Sequence, residues 1–92
     1  MKKTLALFLA LLLILSLAAT AEQSSQEIMD RGIEAYNSED YLLAFGCFYE
    51  LAERGDPAAQ YNLGLMYERG KGVEQSYEKA LEYYLKAAAQ VQ

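Results

Sequence analysis

The sequence predicts an all-α fold, two antiparallel helix-turn-helix hairpins that form a short α-solenoid. Three observations carry that expectation. Beyond residue 22 apolar residues recur at threes and fours, and no strict alternation lasts long enough to favour a strand. Turn-forming clusters, NSED, RGDP and GKGVEQ, interrupt the pattern at helix-length intervals. The second and fourth segments also match at a spacing of 36 residues, with Tyr41 on Tyr77, Ala44 on Ala80, Phe45 on Leu81, Phe48 on Tyr84 and Ala52 on Ala88. That period falls where helix-turn-helix repeats are found.

The N-terminal residues stand apart from this pattern. Lys2 and Lys3 open the chain, Leu5 to Leu17 is almost wholly apolar, and Ala19-Thr20-Ala21 has the small-x-small ending of a signal peptide. Residues 1–21 are therefore expected to be a signal peptide cleaved after Ala21. Retention as an anchor is the competing reading, but the apolar run falls short of the roughly 20 residues that span a bilayer. No stable membrane insertion is expected after cleavage. Residues 22–25 then form a disordered lead-in and 26–92 a helical repeat domain, with hairpin 1 at 26–55 and hairpin 2 at 56–90.

Each helix has a start and a stop. Ser24 and Glu27 have the spacing of a capping box before Ile28, Met29, Ile33, Ala35 and Tyr36, so the first helix is expected from about Ser25 to Asn37. Ser38 or Asp40 caps the second, YLLAFGCFYELAER, and Gly55 ends it in a left-handed conformation. Asp56 caps the third, Pro57 occupies the first-turn position where a missing N–H costs nothing, and the helix runs to Arg69. Gly70 and Gly72 permit positive φ in the loop, Val73 plugs the hairpin base, and Ser76 caps a fourth helix from Tyr77 to Gln90. Gly64 lies inside the third helix, where glycine costs about 0.5–1 kcal/mol relative to alanine. It is read as a close-contact point with a neighbouring helix, with Ala80 as counterpart and Tyr67 and Tyr84 packed beside it.

The chain resembles the bacterial Sel-one-like repeat, a relative of the tetratricopeptide repeat. In the second hairpin the resemblance is carried by Ala59, Gln60, Asn62, Leu63, Gly64, Met66, Tyr67, Gly70, Gly72, Val73, Tyr77, Lys79, Ala80, Tyr84, Ala87 and Ala88. In the first it is carried by Gly32, Ala35, Tyr36, Asp40, Tyr41, Ala44, Leu51, Ala52, Glu53, Gly55 and Asp56. The sequence departs from the pattern in placing Tyr83 where tryptophan is frequent and Ser76 where aspartate is common. The resemblance implies an α-solenoid of the tetratricopeptide type that binds other proteins and has no chemistry of its own. It also implies that the first helix of each pair lines a groove, offering Met29, Ile33, Tyr36, Tyr61, Leu65, Glu68 and Arg69 to a partner. Ile33 and Leu65 are expected to be buried against the neighbouring helix as well.

Composition excludes several functions. The net charge is −5, and removing Lys2 and Lys3 makes the chain more acidic, so nucleic acid and anionic membranes are poor partners. The sequence has no histidine and a single cysteine, which leaves no metal-ligand pattern, no base for a nucleophile and no cofactor motif. Cys47, between aromatic neighbours, is expected to be a buried thiol. Of the eight tyrosines, Tyr41, Tyr67, Tyr77 and Tyr84 are assigned to packing, while Tyr36 and Tyr61 are less clearly required by it. The leading expectation is an exported adaptor, periplasmic or secreted, that binds another protein or an extended peptide. A second is a minimal or truncated solenoid that self-associates through Leu85, Ala88, Ala89 and Val91, and a hydrolase is the remote third.

Overall fold

The computed structural model describes residues 2–90, with side chains for 3–13 and 24–90. Four helices follow in chain order: α1 (Lys2–Asn37), α2 (Tyr41–Glu53), α3 (Pro57–Arg69) and α4 (Tyr77–Ala89). Each packs antiparallel on its sequence neighbours, α1 on α2, α2 on α3 and α3 on α4, which is the layout of a short α-solenoid. No strand occurs among the described residues.

Capping accounts for where three of the helices begin. The Asp40 carboxylate accepts from the Leu43 N–H at 3.4 Å, Asp56 from Ala59 at 3.1 Å, and the Ser76 hydroxyl from Lys79 at 3.2 Å. Gly55 (φ 91°) and Gly70 (φ 67°) take the left-handed conformation beyond the ends of α2 and α3. The first helix differs from expectation. It runs unbroken through residues 22–25, so the proposed lead-in is helical and Ser24 is an interior residue rather than a cap. Neither glycine nor proline occurs between Lys2 and Arg31, and Gln26 Nε2 donates to Asp30 Oδ1 at 3.0 Å along the helix. The large apolar side chains from Leu5 to Leu13 are exposed, and the core begins only with Ile28 and Met29.

That core lies between the hairpins. Ala44, Phe48, Leu51 and Ala52 of α2 meet Ala59, Leu63, Met66 and Tyr67 of α3, with Ala80 and Tyr83 of α4 behind them. Gln60, though buried, is satisfied: it donates to the Ala52 carbonyl at 3.3 Å and accepts from Gln90 at 2.7 Å, which ties α2, α3 and α4 together. Tyr67 sits at the junction, edge-on to Phe45 (5.7 Å) and stacked on Tyr83 (5.7 Å). The loop between α3 and α4 folds back onto α2. Gly72 (φ 72°) passes so close to Tyr41 that a side chain there would meet the Tyr41 carbonyl carbon at 2.8 Å, and Val73 is half-buried against the core.

Several expected packing roles are corrected. At Gly64 the nearest group is the side chain of Tyr84, one of the two tyrosines expected beside it. The Tyr84 ring itself lies over the glycine, and a Cβ at residue 64 would strike the ring edge, with Tyr84 Cζ at 3.0 Å. Gly32 repeats the arrangement in the first hairpin, under Phe48 Cε1 at 2.7 Å. Tyr77 is 69% exposed and accepts a hydrogen bond from Gln75, while Tyr83 takes the buried position. Ala80, Tyr83 and Ala87 share the buried face of α4 at three- and four-residue spacing, whereas the Tyr77 hydroxyl at the helix start is engaged by Gln75 of the loop. Ala88 is exposed although its counterpart Ala52 is buried, because α3 covers Ala52 and no described helix covers Ala88. Val91 lies outside the described residues.

Candidate functional site

Two concave sites are built from the residues that sequence reasoning singled out. The first is a cleft of about 180 Å³ between the first helices of the two hairpins, lined by Ile33, Tyr36 and Asn37 of α1, Phe48 of α2, and Asn62, Leu65 and Arg69 of α3. Its apolar floor is Phe48. Its rim is polar, where Arg69 Nη1 donates to the Tyr36 hydroxyl at 3.2 Å, a contact that also favours the charged guanidinium. Ile33, expected to be buried, is 45% exposed and lines the cleft together with Phe48 and Leu65.

The second is an open groove of about 770 Å³ along α3 and α4, lined by Pro57, Ala58, Tyr61, Leu65 and Glu68 on one side and Tyr84, Ala87 and Ala88 on the other. The Tyr84 hydroxyl donates to Glu68 Oε2 at 3.2 Å and its ring stands 5.6 Å from that of Tyr61. Partial burial, and then the bond to Glu68, raise the Tyr84 pKa above its ordinary value. Leu65 belongs to both sites and makes them adjoin.

Six of the seven expected binding residues therefore fall into these two sites. Met29 falls in neither, since it is half-buried and packs against the core. Asn37, Phe48 and Asn62 of the cleft and Pro57, Ala58, Tyr84 and Ala87 of the groove were not foreseen as partner-binding residues, and Ala88 was expected only in self-association. The signal that could have found Tyr84 and Ala88 is their 36-residue match with Phe48 and Ala52, which the first hairpin uses to hold α3.

Cys47 is buried, as expected, and burial raises its thiol pKa, an effect that the nearby Arg31 charge partly offsets. The exposed acidic residues Glu50 and Glu53 show no site character; Glu50 pairs with Arg54 at 2.9 Å.

Helical hairpins stacked in register, with glycines under aromatic rings and concave faces between successive helices, define an α-solenoid repeat protein. The comparisons with known proteins agree. The Sel1 repeat family profile matches residues 31–56 and 57–91, and the chain belongs to that family. The mouse protein DAP3-binding cell death enhancer 1 is 42% identical over 50 residues, spanning 54% of this chain and 10% of that protein. Mouse protein sel-1 homolog 2 is 42% identical over 66 residues, spanning 71% of this chain and 8% of the other. HcpC of Helicobacter pylori (strain J99), which bears a provisional beta-lactamase name, is 31% identical over 59 residues, spanning 64% of this chain and 20% of its own. The chain thus spans a tenth or less of the mammalian relatives it matches. No solved structure matches it. Sel1 repeats are helical scaffolds, mostly non-catalytic, that generally mediate protein–protein interaction.

Proposed function

We propose that the chain is an exported adaptor of the bacterial envelope or exterior, which binds another protein or an extended peptide and performs no catalysis. The observation that carries this reading is the convergence of Ile33, Tyr36, Leu65 and Arg69, from the first helices of both hairpins, on one cleft with an apolar floor and a hydrogen-bonding rim. An extended segment would seat an aliphatic or aromatic side chain over Phe48 and present carbonyls or a carboxylate to Arg69. Export is supported by the basic start, the apolar run and the Ala19-Thr20-Ala21 ending, together with apolar side chains from Leu5 to Leu13 that the core does not use.

A photoactivatable residue placed at Ile33 in living cells tests the cleft. A discrete protein adduct is expected from Ile33, none from the exposed control position Tyr77, and loss of the adduct on Arg69→Ala. Equal labelling from both positions would count against the cleft. N-terminal sequencing of the exported chain should begin at Glu22, and a chain confined to the cytoplasm with Met1 retained would remove the exported role.

A second reading, self-association through α4, is favoured by the exposure of Leu85 (60%) together with Ala89. It requires a melting temperature that rises with protein concentration.

A further inference from the structure

The two hairpins differ in what covers them, and the difference is readable residue by residue. Second helices align at a spacing of 36 and first helices at 32, because the loop 70–76 is longer than the loop 38–40 by four residues. On α2, Phe45, Phe48 and Ala52 receive α3: Phe45 meets the Tyr67 ring, Phe48 and Ala52 are buried, and the Ala52 carbonyl accepts from Gln60. Their counterparts on α4 are Leu81, Tyr84 and Ala88. Leu81 is 58% exposed, Tyr84 half-exposed and Ala88 exposed, and the latter two wall the 770 Å³ groove. The groove therefore occupies, on hairpin 2, the place that α3 fills on hairpin 1.

The same register shows that a head-to-tail copy does not fit there. The α3 residues Ala59, Leu63 and Met66 are wholly buried, at 0%, 0% and 1%. Their counterparts on α1 are Glu27, Arg31 and Glu34, all exposed. Seating α1 of another copy in the groove would bury three charged side chains against Leu65, Tyr84 and Ala88, at a desolvation cost that the apolar α3 residues do not incur. Among the described residues, then, the outer face of α1 is charged and the α3–α4 groove is apolar.

Charge identifies the occupant further. Where α3 seats on hairpin 1, Arg69 donates to the hydroxyl of Tyr36. The counterpart of Tyr36 on hairpin 2 is Glu68, a carboxylate at the groove edge held by the Tyr84 hydroxyl. A residue arriving in the Arg69 position would face a full negative charge, which favours lysine or arginine there.

From this register we infer that the α3–α4 groove is a docking site for an amphipathic helix of a partner protein, seated in trans as α3 is seated in cis. Such a helix carries a small residue, a leucine and a methionine or similar aliphatic residue at the spacing of Ala59, Leu63 and Met66, followed by a basic residue in the position of Arg69. This site adjoins the α1–α3 cleft at Leu65, but Ala88 and Glu68 lie outside the cleft lining, so each site stands or falls by its own variants.

The chain's own α3 sequence supplies the probe. A synthetic peptide of residues 56–70 is titrated into the ¹⁵N-labelled chain, with a peptide of residues 24–38 as the charged control. Saturable shifts are expected at the Leu81, Tyr84 and Ala88 amides with the first peptide and not with the second. Ala88→Arg, at an exposed position that leaves the melting temperature unchanged, should weaken binding at least tenfold. Glu68→Arg should do the same, with binding regained when the arginine of the peptide is exchanged for glutamate. No shifts up to millimolar peptide, shifts indifferent to Ala88→Arg, or equal binding of both peptides would overturn the proposal. Shifts of the same amides with chain concentration alone, accompanied by dimer in sedimentation, would assign the groove to a second copy and overturn it as well. Loss of the Ile33 adduct leaves these readouts untouched.

Discussion

Gly32 and Gly64 both lie beneath an aromatic ring, yet the two rings differ in their freedom to move. Phe48 is 2% exposed and enclosed between α1 and α3, and a Cβ at residue 32 would also come within 3.1 Å of Cys47 Cβ. Tyr84 is only half-buried and borders the open groove, into which its ring can turn. Replacing either glycine by alanine recovers roughly 0.5–1 kcal/mol of helix propensity, which overpacking of about 1–3 kcal/mol opposes. Gly32→Ala should therefore destabilise clearly, by about 1–2 kcal/mol, while Gly64→Ala should fall near neutral. Gly64→Leu is too large for the ring to accommodate and should cost about 1–3 kcal/mol, a melting-temperature loss of several degrees for a domain of this size. Thermal melts of the three variants check the order, and an equal cost for Gly32→Ala and Gly64→Ala would contradict the difference in ring mobility. A close contact at residue 64 with Tyr84 beside it was legible from the helical pattern; that the Tyr84 ring itself lies over the glycine was not. Period alone assigns a residue to a face and leaves open whether a backbone or the adjacent helix's ring arrives there.

At the scale of the element, capping chemistry was the most legible signal because it is local. Asp40, Asp56 and Ser76 each bond the amide three residues on, as their sequence contexts require. The least legible was α1, where an expected cap became an interior residue. A capping side chain only offers a stop, and without a glycine or proline to enforce it the helix propagates through residues 22–25. Tyr77 was assigned to packing by its match with Tyr41, but the longer loop before α4 pins its backbone elsewhere: Gln75 bonds both the Glu68 carbonyl and the Tyr77 hydroxyl, and Ser76 N–H bonds the Tyr67 carbonyl. The Asp56 cap joins the two hairpins and carries more than its own helix. Asp56→Ala should cost about 1 kcal/mol by the usual loss of an N-cap, and Asp56→Asn, which keeps the acceptor, only a fraction of that. Urea denaturation of both variants distinguishes a cap from a charge effect: if asparagine destabilised as much as alanine, the carboxylate would be acting through the helix dipole and not through the Ala59 bond.

For the whole molecule, the repeat architecture follows from consistency between local signals and long-range packing, while the open groove follows from a comparison the periodicity does not make. The two hairpins must be aligned at different offsets, 32 and 36, before Glu27, Arg31 and Glu34 are seen to replace Ala59, Leu63 and Met66. A further consequence belongs to the whole fold because it sums over three groups. Burial raises the pKa of Cys47 and Tyr83, and burial together with the bond to Glu68 raises that of Tyr84. In each case the unfolded chain ionises at a lower pH than the native one. The stabilisation is fully present below the ordinary thiol and phenol values of 9.0 and 10.0, and it is lost as pH rises through the raised native values. Stability should hence be level towards neutral pH as far as these groups are concerned and fall on the alkaline side. Urea unfolding at a series of pH values from about 8 upwards checks this against the ordinary pKa range. Tyr83→Phe keeps the ring stacked on Tyr67 and deletes one of the three ionisations, so its alkaline decline should be shallower than that of the parent chain. An equally steep decline in Tyr83→Phe would mean that the buried face of α4 does not govern the alkaline limit, and the sensitivity would have to be sought in Cys47 and in the Tyr84–Glu68 pair at the groove.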